Sequence, residues 1–130
     1  MIAVDTSALI AIALREPERD TFMNLVSNNE CLIGTVTVLE CHMVLHDRVG
    51  MQGVAFIDAL LRRPHVKLID FNPDLLVIAR RAFDQYGKGR DAAGLNFGDC
   101  MSYAVAKFHD VPLLFKGDDF PLTDVRPALP

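Results

Sequence analysis

Five acidic side chains stand where apolar segments of this chain end or where helices are predicted to begin. They are Asp5, Glu40, Asp99, Asp118 and Asp119. Two carboxylates ~4 Å apart repel by about 4 kcal/mol at an effective dielectric constant of about 20, so a cluster of them needs a proton or a cation. Carboxylate oxygens without histidine or thiolate suit Mg²⁺ or Mn²⁺. Such ions activate water and neutralise charge during attack on a phosphodiester, so the acids indicate metal-dependent phosphodiester hydrolysis.

Short apolar runs alternate with amphipathic segments along the chain. The runs at 2–4, 31–33, 66–69 and 112–115 are predicted strands, and the helices are predicted around 8–14, 22–26, 37–48, 54–62, from 73 and over 98–109. This alternation favours a parallel sheet covered by helices on both faces. Ligands of such sheets gather beyond the carboxyl ends of the strands, so the acids are predicted to converge at one edge.

Each acid also has a purely structural interpretation. Asp5 is a good N-cap for the helix that follows it. Glu40 completes an S/T-x-x-E capping box with Thr37. Asp99 lies where the helix dipole alone favours an acid, and the two acids after Gly117 are ordinary turn residues. The joint placement of the acids, rather than any single position, therefore carries the functional interpretation.

Length and composition predict one domain over residues 1–130, with 51% hydrophobic residues and a net charge of −4. The longest apolar stretch, Ala8–Leu14, is far shorter than a membrane span requires. Asp5 interrupts the N-terminus before any basic segment, so we expect no cleavable leader and a cytoplasmic protein.

The cysteines and histidines do not predict a metal site of their own. The three cysteines are odd in number and lack C-x-x-C spacing, which favours reduced, buried thiols. His42 and His46 are four residues apart on a predicted helix, but Met43 occupies the glutamate position of the H-E-x-x-H motif. Packing or interface roles are therefore predicted for both histidines.

An acidic site that acts on a polyanion needs local cations. Lys88, Arg90 and Lys116 are the candidate substrate-binding cations, and the glycines on either side of Lys88 would let backbone amides approach a phosphate. The same glycines also suit an ordinary helix end. Tyr86 and Phe97 are candidates for stacking on unpaired bases or for packing.

Four ordered blocks make the chain resemble a known family. They are Met1–Ile10 with its Asp-Thr-Ser sequence, the isolated Glu40, Leu95–Cys100 and Leu113–Phe120. Together these blocks resemble the VapC-type PIN-domain toxins, the ribonuclease halves of bacterial type II toxin–antitoxin pairs. The resemblance runs from end to end of the chain.

The resemblance implies a Rossmann-like three-layer α/β/α fold with a central parallel sheet and a Mg²⁺-dependent endoribonuclease site. It makes Asp5 and Asp99 the metal ligands and Glu40 the third acid. Asp119 or Asp118 would be the fourth, because Gly117 stands where many members carry an acid. The resemblance also implies a homodimer and a VapB-type antitoxin whose C-terminal segment lies across the active-site groove, giving a heterotetramer or larger assembly.

A hydroxyl in the Asp-x-Ser opening is a further candidate site group. Ser7 matches this position, and with Thr6 beside it a hydroxyl is predicted to bond a metal-bound water or a carboxylate.

Two alternatives remain open at this point. One is a related PIN-like nuclease that acts on DNA or structured flaps, against which the absence of extra helices counts. The other is a non-catalytic doubly wound domain that binds Mg²⁺ and a nucleotide, which the absence of a G-x-G-x-x-G or Walker loop weakens.

Overall fold

The computed structural model describes residues 1–129, in which short strands alternate with helices. The strands are β1 (Ile2–Val4), β2 (Cys31–Gly34), β3 (Val66–Ile69) and β4 (Leu113–Leu114). The helices are α1 (Thr6–Ala13), α2 (Arg19–Ser27), α3 (Thr35–Val49), α4 (Met51–Leu61), α5 (Pro73–Tyr86) and α6 (Phe97–His109). Among residues 1–129, every helix is too short or too polar to cross a lipid bilayer.

The four strands form one parallel sheet in the order β3-β2-β1-β4. The chain moves outward from β1 to β3 and then returns to place β4 on the other side of β1. The connection therefore changes direction between β1 and β4, and in doubly wound sheets ligands bind at such a switch point. The backbone N–H of Asp5 donates to the carbonyl of Leu114 at 2.9 Å, which holds these two strand ends together.

Apolar side chains pack on both faces of the sheet. Alternation along β1 sends Ile2 and Val4 into a core with α1, α2, α3 and α4, while Ala3 joins a second core with α5 and α6. Both faces of the sheet are thus covered by helices, and the predicted three-layer α/β/α fold is confirmed.

The start of α3 differs from the sequence prediction. The helix begins at Thr35 and uses Gly34 as its N-cap, with no capping bond from a side chain. Thr37 lies inside the helix, where its hydroxyl faces that of Ser102 at 3.4 Å. The predicted capping box between Thr37 and Glu40 is therefore wrong, because the helix continues directly from the buried end of β2 and places Glu40 in its second turn.

Candidate active site

Asp5 combines a structural role with an unsatisfied oxygen. It is the N-cap of α1, and its Oδ2 accepts hydrogen bonds from the N–H of Ser7 at 3.0 Å and from the hydroxyl of Ser7 at 2.7 Å. Its Oδ1 is buried and has no hydrogen-bond partner. Because buried polar atoms are nearly always paired, this oxygen is a candidate ligand for a cation.

Asp99 lies in the first turn of α6, as predicted. It forms a capping box with Asn96, whose side chain accepts from the N–H of Asp99 at 2.9 Å. The pKa of Asp99 is raised to about 6, mainly by burial and in part by the negative charges of Asp5, Asp119 and Glu40, while the hydrogen bond from the Asn96 N–H lowers it. The shift shows that these acids share one electrostatic neighbourhood.

Glu40 reaches the same region from the second turn of α3. The buried hydroxyl of Thr6 donates a hydrogen bond to Oε1 of Glu40. The carboxylate also lies against Gly98 in the first turn of α6. Three helices, α1, α3 and α6, therefore meet around this one side chain.

The acids after β4 differ in their relation to Asp99. Asp119 is one of the charges that raise the pKa of Asp99, whereas Asp118 is not among them. Gly117 has a φ of 122°, a conformation that side-chain-bearing residues rarely adopt. The backbone at the position where many family members carry an acid is thus suited to glycine here.

The donor set fits Mg²⁺ or Mn²⁺ better than a softer metal. The groups are carboxylate oxygens, and the orphaned Oδ1 of Asp5 is aimed at no protein donor. Among residues 1–129, no group of three or more His, Cys, Asp or Glu side chains is placed so that it could hold a metal ion.

Ser7 and Lys116 connect the end of β1 to the segment after β4. The backbone N–H of Lys116 donates to the hydroxyl of Ser7 at 2.9 Å. The ammonium group of Lys116 pairs with Glu16 at 3.1 Å and Glu18 at 3.2 Å. The predicted cation therefore lies beside the site with its charge already engaged, and no local sequence pattern indicates these two partners, about 100 residues away.

The other two predicted cations lie in the segment after α5. The N–H of Lys88 donates to the carbonyl of Leu95 at 2.9 Å, immediately before the N-cap of α6. The guanidinium of Arg90 lies 5.1 Å from the centre of the Phe83 ring. The backbone of this segment is therefore tied to the entry of the helix that carries Asp99.

The candidate stacking residues differ in exposure. The side chain of Phe97 is 72% exposed, so it is not part of the hydrophobic core of the described residues. Tyr86 packs against Tyr103 with ring centres 6.0 Å apart. Of the two, Phe97 has the more exposed ring, which a base or a second protein chain could cover.

The cysteines are buried, whereas the two histidines lie on the exposed surface of α3. All three cysteines are free and buried, as predicted. Burial, together with the smaller effect of the negative charges of Glu40 and Asp5, raises the pKa of Cys41 to about 12, so this thiol stays protonated. The rings of His42 and His46 stack with centres 6.2 Å apart on α3.

A family model for the PIN domain matches residues 2–125, and the chain therefore belongs to the PIN-domain family. Ribonuclease VapC30 of Mycobacterium tuberculosis is 43% identical over 131 residues, covering 99% of this chain and 100% of the relative. The predicted membership of the VapC branch is thereby confirmed.

Solved structures show the same fold at lower identity. The crystal structure of VapC20 of Mycobacterium tuberculosis, described as a sarcin-ricin loop cleaving toxin, superimposes with a TM-score of 0.77 at 20% identity. The match covers 98% of this chain and 100% of that one. A chain of a toxin–antitoxin complex from Klebsiella pneumoniae gives a TM-score of 0.69 at 19% identity, covering 95% and 93%.

Proposed function

We propose that the protein is a Mg²⁺-dependent endoribonuclease, with Mn²⁺ as a possible substitute, that acts as the toxin of a VapBC-type pair. The observation that carries this proposal is the buried, unpartnered Oδ1 of Asp5 beside Asp99 at the switch point of the sheet. The proposed activity also agrees with the name of the 43% identical relative, a ribonuclease.

Asp5 and Asp99 are the proposed metal ligands. Oδ2 of Asp5 accepts both hydrogen bonds from Ser7, and Oδ1 has no partner and is available to a cation. A pKa of about 6 leaves Asp99 mostly ionised at neutral pH and able to bind a cation. A bound Mg²⁺ would supply a more acidic water and neutralise charge that develops on the RNA phosphate.

Glu40 and Asp119 are the proposed supporting acids. Their charges act on Asp99, so they strengthen the negative potential that attracts the cation. The hydroxyl of Thr6 holds the carboxylate of Glu40, which keeps its charge directed at the site. Asp118 remains the alternative fourth acid.

Substrate contacts are proposed for Ser7, Lys88, Arg90 and Lys116. Lys88 and Arg90 lie in a segment tied to the entry of α6 and would contact RNA phosphates. Lys116 would reach a phosphate with its side chain only by releasing Glu16 and Glu18. Ser7 would act mainly by orienting Asp5.

A VapB-type antitoxin is the proposed protein partner. The Klebsiella pneumoniae neighbour is described as a toxin–antitoxin complex. Among the described residues, no salt bridge involves Asp5, Glu40, Asp99 or Asp119. A cationic antitoxin segment lying across the groove would therefore meet acids whose charges are not yet paired. Co-expression with the product of a short neighbouring reading frame is expected to suppress RNA cleavage.

A homodimer is proposed through the exposed apolar surface around Phe97. Two grooves of about 420 and 410 Å³ share this ring; one includes Phe83 and Leu76, and the other includes Met43 and Leu39. Light scattering is expected to give twice the chain mass, and Met43→Glu is expected to shift it to the monomer. A wild-type monomer at micromolar concentration would contradict this part of the proposal.

Cleavage of total cellular RNA by the purified protein tests the proposed activity. Reactions contain Mg²⁺ or EDTA, and Asp99→Asn is compared with Asp58→Asn, a matched change at an exposed position of α4. Discrete fragments that require Mg²⁺ and Asp99 but not Asp58 are expected.

Other results separate the alternatives. Cleavage of single-stranded or flap DNA in place of RNA would support the DNA nuclease. Binding of Mg²⁺ by folded, antitoxin-free protein without cleavage of any RNA or DNA would support the non-catalytic binding domain.

A further inference from the structure

The carboxylate of Glu40 occupies the space that a side chain at position 98 would fill. A Cβ atom built on Gly98 would lie 2.3 Å from Oε2, 2.5 Å from Oε1 and 2.7 Å from Cδ of Glu40. Real Cβ contacts essentially never fall below 3.0 Å. Alanine at this position and the present placement of Glu40 are therefore incompatible.

The backbone itself gives no reason for glycine at this position. Gly98 lies in the first turn of α6 and is not among the glycines with positive φ. Alanine is the better helix former, so helix propensity would favour it over glycine. The space required by Glu40 is the remaining reason for the missing side chain.

Contacts on its other side keep Glu40 from moving freely. The hydroxyl of Thr6, buried in the first turn of α1, donates to Oε1 of the same carboxylate. The carboxylate is therefore held between Thr6 and Gly98, although it extends from a third helix, α3.

We propose that Gly98 is a positioning residue, whose lack of a side chain lets Glu40 reach the acidic cluster beside Thr6. This inference rests on the proposed nuclease function. With a methyl group at position 98, the carboxylate would retreat by about 1 Å to reach ordinary contact distance. A misplacement of about 1 Å in an active site costs on the order of 100-fold in rate.

A double-mutant cycle tests the proposal. The variants are Gly98→Ala, Glu40→Asp and the double variant, in which the shorter acid leaves room for the methyl group. Each is assayed for RNA cleavage, for Mn²⁺ affinity by electron paramagnetic resonance and for melting temperature. We expect Gly98→Ala to cleave about 100-fold more slowly, to bind Mn²⁺ more weakly and to melt within a few degrees of the wild type.

The coupling between the two changes separates positioning from a general packing defect. The double variant is expected to cleave faster than Gly98→Ala alone. The proposal would be overturned if Gly98→Ala kept wild-type activity. It would also be overturned if the loss of activity in the double variant equalled the product of the losses in the two single variants.

A crystal structure of Gly98→Ala keeps this test separate from the proposed function. Displacement of the Glu40 carboxylate from Thr6 would support the positioning role, and an unmoved carboxylate would overturn it. Failure of the wild-type protein to cleave RNA would count against the nuclease alone, because the displacement is measured without any reaction.

Discussion

Ser7 donates two hydrogen bonds to a single oxygen of Asp5. The backbone N–H lies 3.0 Å and the hydroxyl 2.7 Å from Oδ2, and Oδ1 is left buried without a partner. An ordinary helix N-cap needs only the first of these bonds. The second bond restricts the rotation of the carboxyl group, and we propose that this holds the free oxygen in place for a cation.

Ser7→Ala removes this second bond while retaining the backbone one. The N–H of Lys116 also loses its acceptor. Loss of a hydrogen bond that orients a metal-binding carboxylate typically costs 10–100-fold in activity, so we expect about that decrease in RNA cleavage, with a loss of about 1 kcal/mol in the free energy of unfolding. Ser27→Ala, at an exposed hydroxyl on α2, is the matched control. Equal activity of Ser7→Ala and this control would refute the orienting role.

Thr6→Val tests the hydroxyl that holds Glu40. Valine keeps the branched shape but cannot donate, so the carboxylate loses its bond to this helix. We expect RNA cleavage to fall roughly 10-fold or more, whereas Thr6→Ser keeps the donor and stays near the wild-type rate. The rates are measured at saturating Mg²⁺. A valine variant as active as the serine variant would show that the hydroxyl does not matter.

Asp99→Asn is expected to stabilise the metal-free protein. Folding raises the pKa of Asp99 from its ordinary 3.8 to about 6, so the native state resists its ionisation. Wild-type stability therefore falls as the pH rises between these two values, while asparagine keeps the acceptor for the N–H of Asn96 without the charge. Allowing for solvent screening, the gain at pH 7 is roughly 1 kcal/mol.

Urea unfolding in EDTA measures this difference. The gain in Asp99→Asn should be present at neutral pH and disappear below about pH 4, where both states of the wild type bind the proton. A variant less stable than the wild type at pH 7 would contradict the electrostatic account.

Asp124 ties the C-terminal segment to α6, the helix that carries Asp99. It accepts from the hydroxyl of Tyr103 at 2.6 Å and from the ammonium group of Lys107 at 3.1 Å. Burial works to raise the pKa of Asp124, but these two donors outweigh it and hold the pKa below its ordinary value. The charged form therefore stabilises the fold above the ordinary pKa of aspartate, and this contribution is lost as the pH falls through the lowered value.

Asp124→Asn is expected to lower the free energy of unfolding by roughly 1 kcal/mol at pH 7, with allowance for solvent screening. The difference from wild type should shrink as the pH falls toward about 3, because protonated aspartate is neutral like asparagine. Urea unfolding at several pH values measures this trend. A difference that stays constant over this range would exclude the proposed role of the charge.

The sheet and most helices could be predicted from sequence because their signals are local. Apolar runs marked the strands to within one residue at each end, and Pro73 marked the start of α5. The predicted start of α6 at residue 98 lies one residue from the observed start at Phe97. The start of α3 could not be predicted this way. The capping-box motif at Thr37 suggested that the helix begins there. The observed helix begins at Thr35, because the chain turns into the helix directly after the buried strand β2.

The acids of the site were visible in the sequence, but their supporting contacts were not. Asp5, Glu40 and Asp99 stand at element ends or early helical turns that the topology brings together. The pairing of Lys116 with Glu16, and the contact of Gly98 with Glu40, join residues far apart in the chain. Such contacts depend on how helices pack, and no local pattern encodes them.

A Mg²⁺ titration of RNA cleavage tests the central claim most directly. It compares the wild type with Asp5→Asn, in which asparagine preserves the N-cap of α1 but removes the charge at Oδ1, and with the Asp58→Asn control. The account predicts saturable, EDTA-sensitive cleavage by the wild type and the control, and none by a folded Asp5→Asn. Cleavage that persists in EDTA, or full activity of Asp5→Asn, would contradict it.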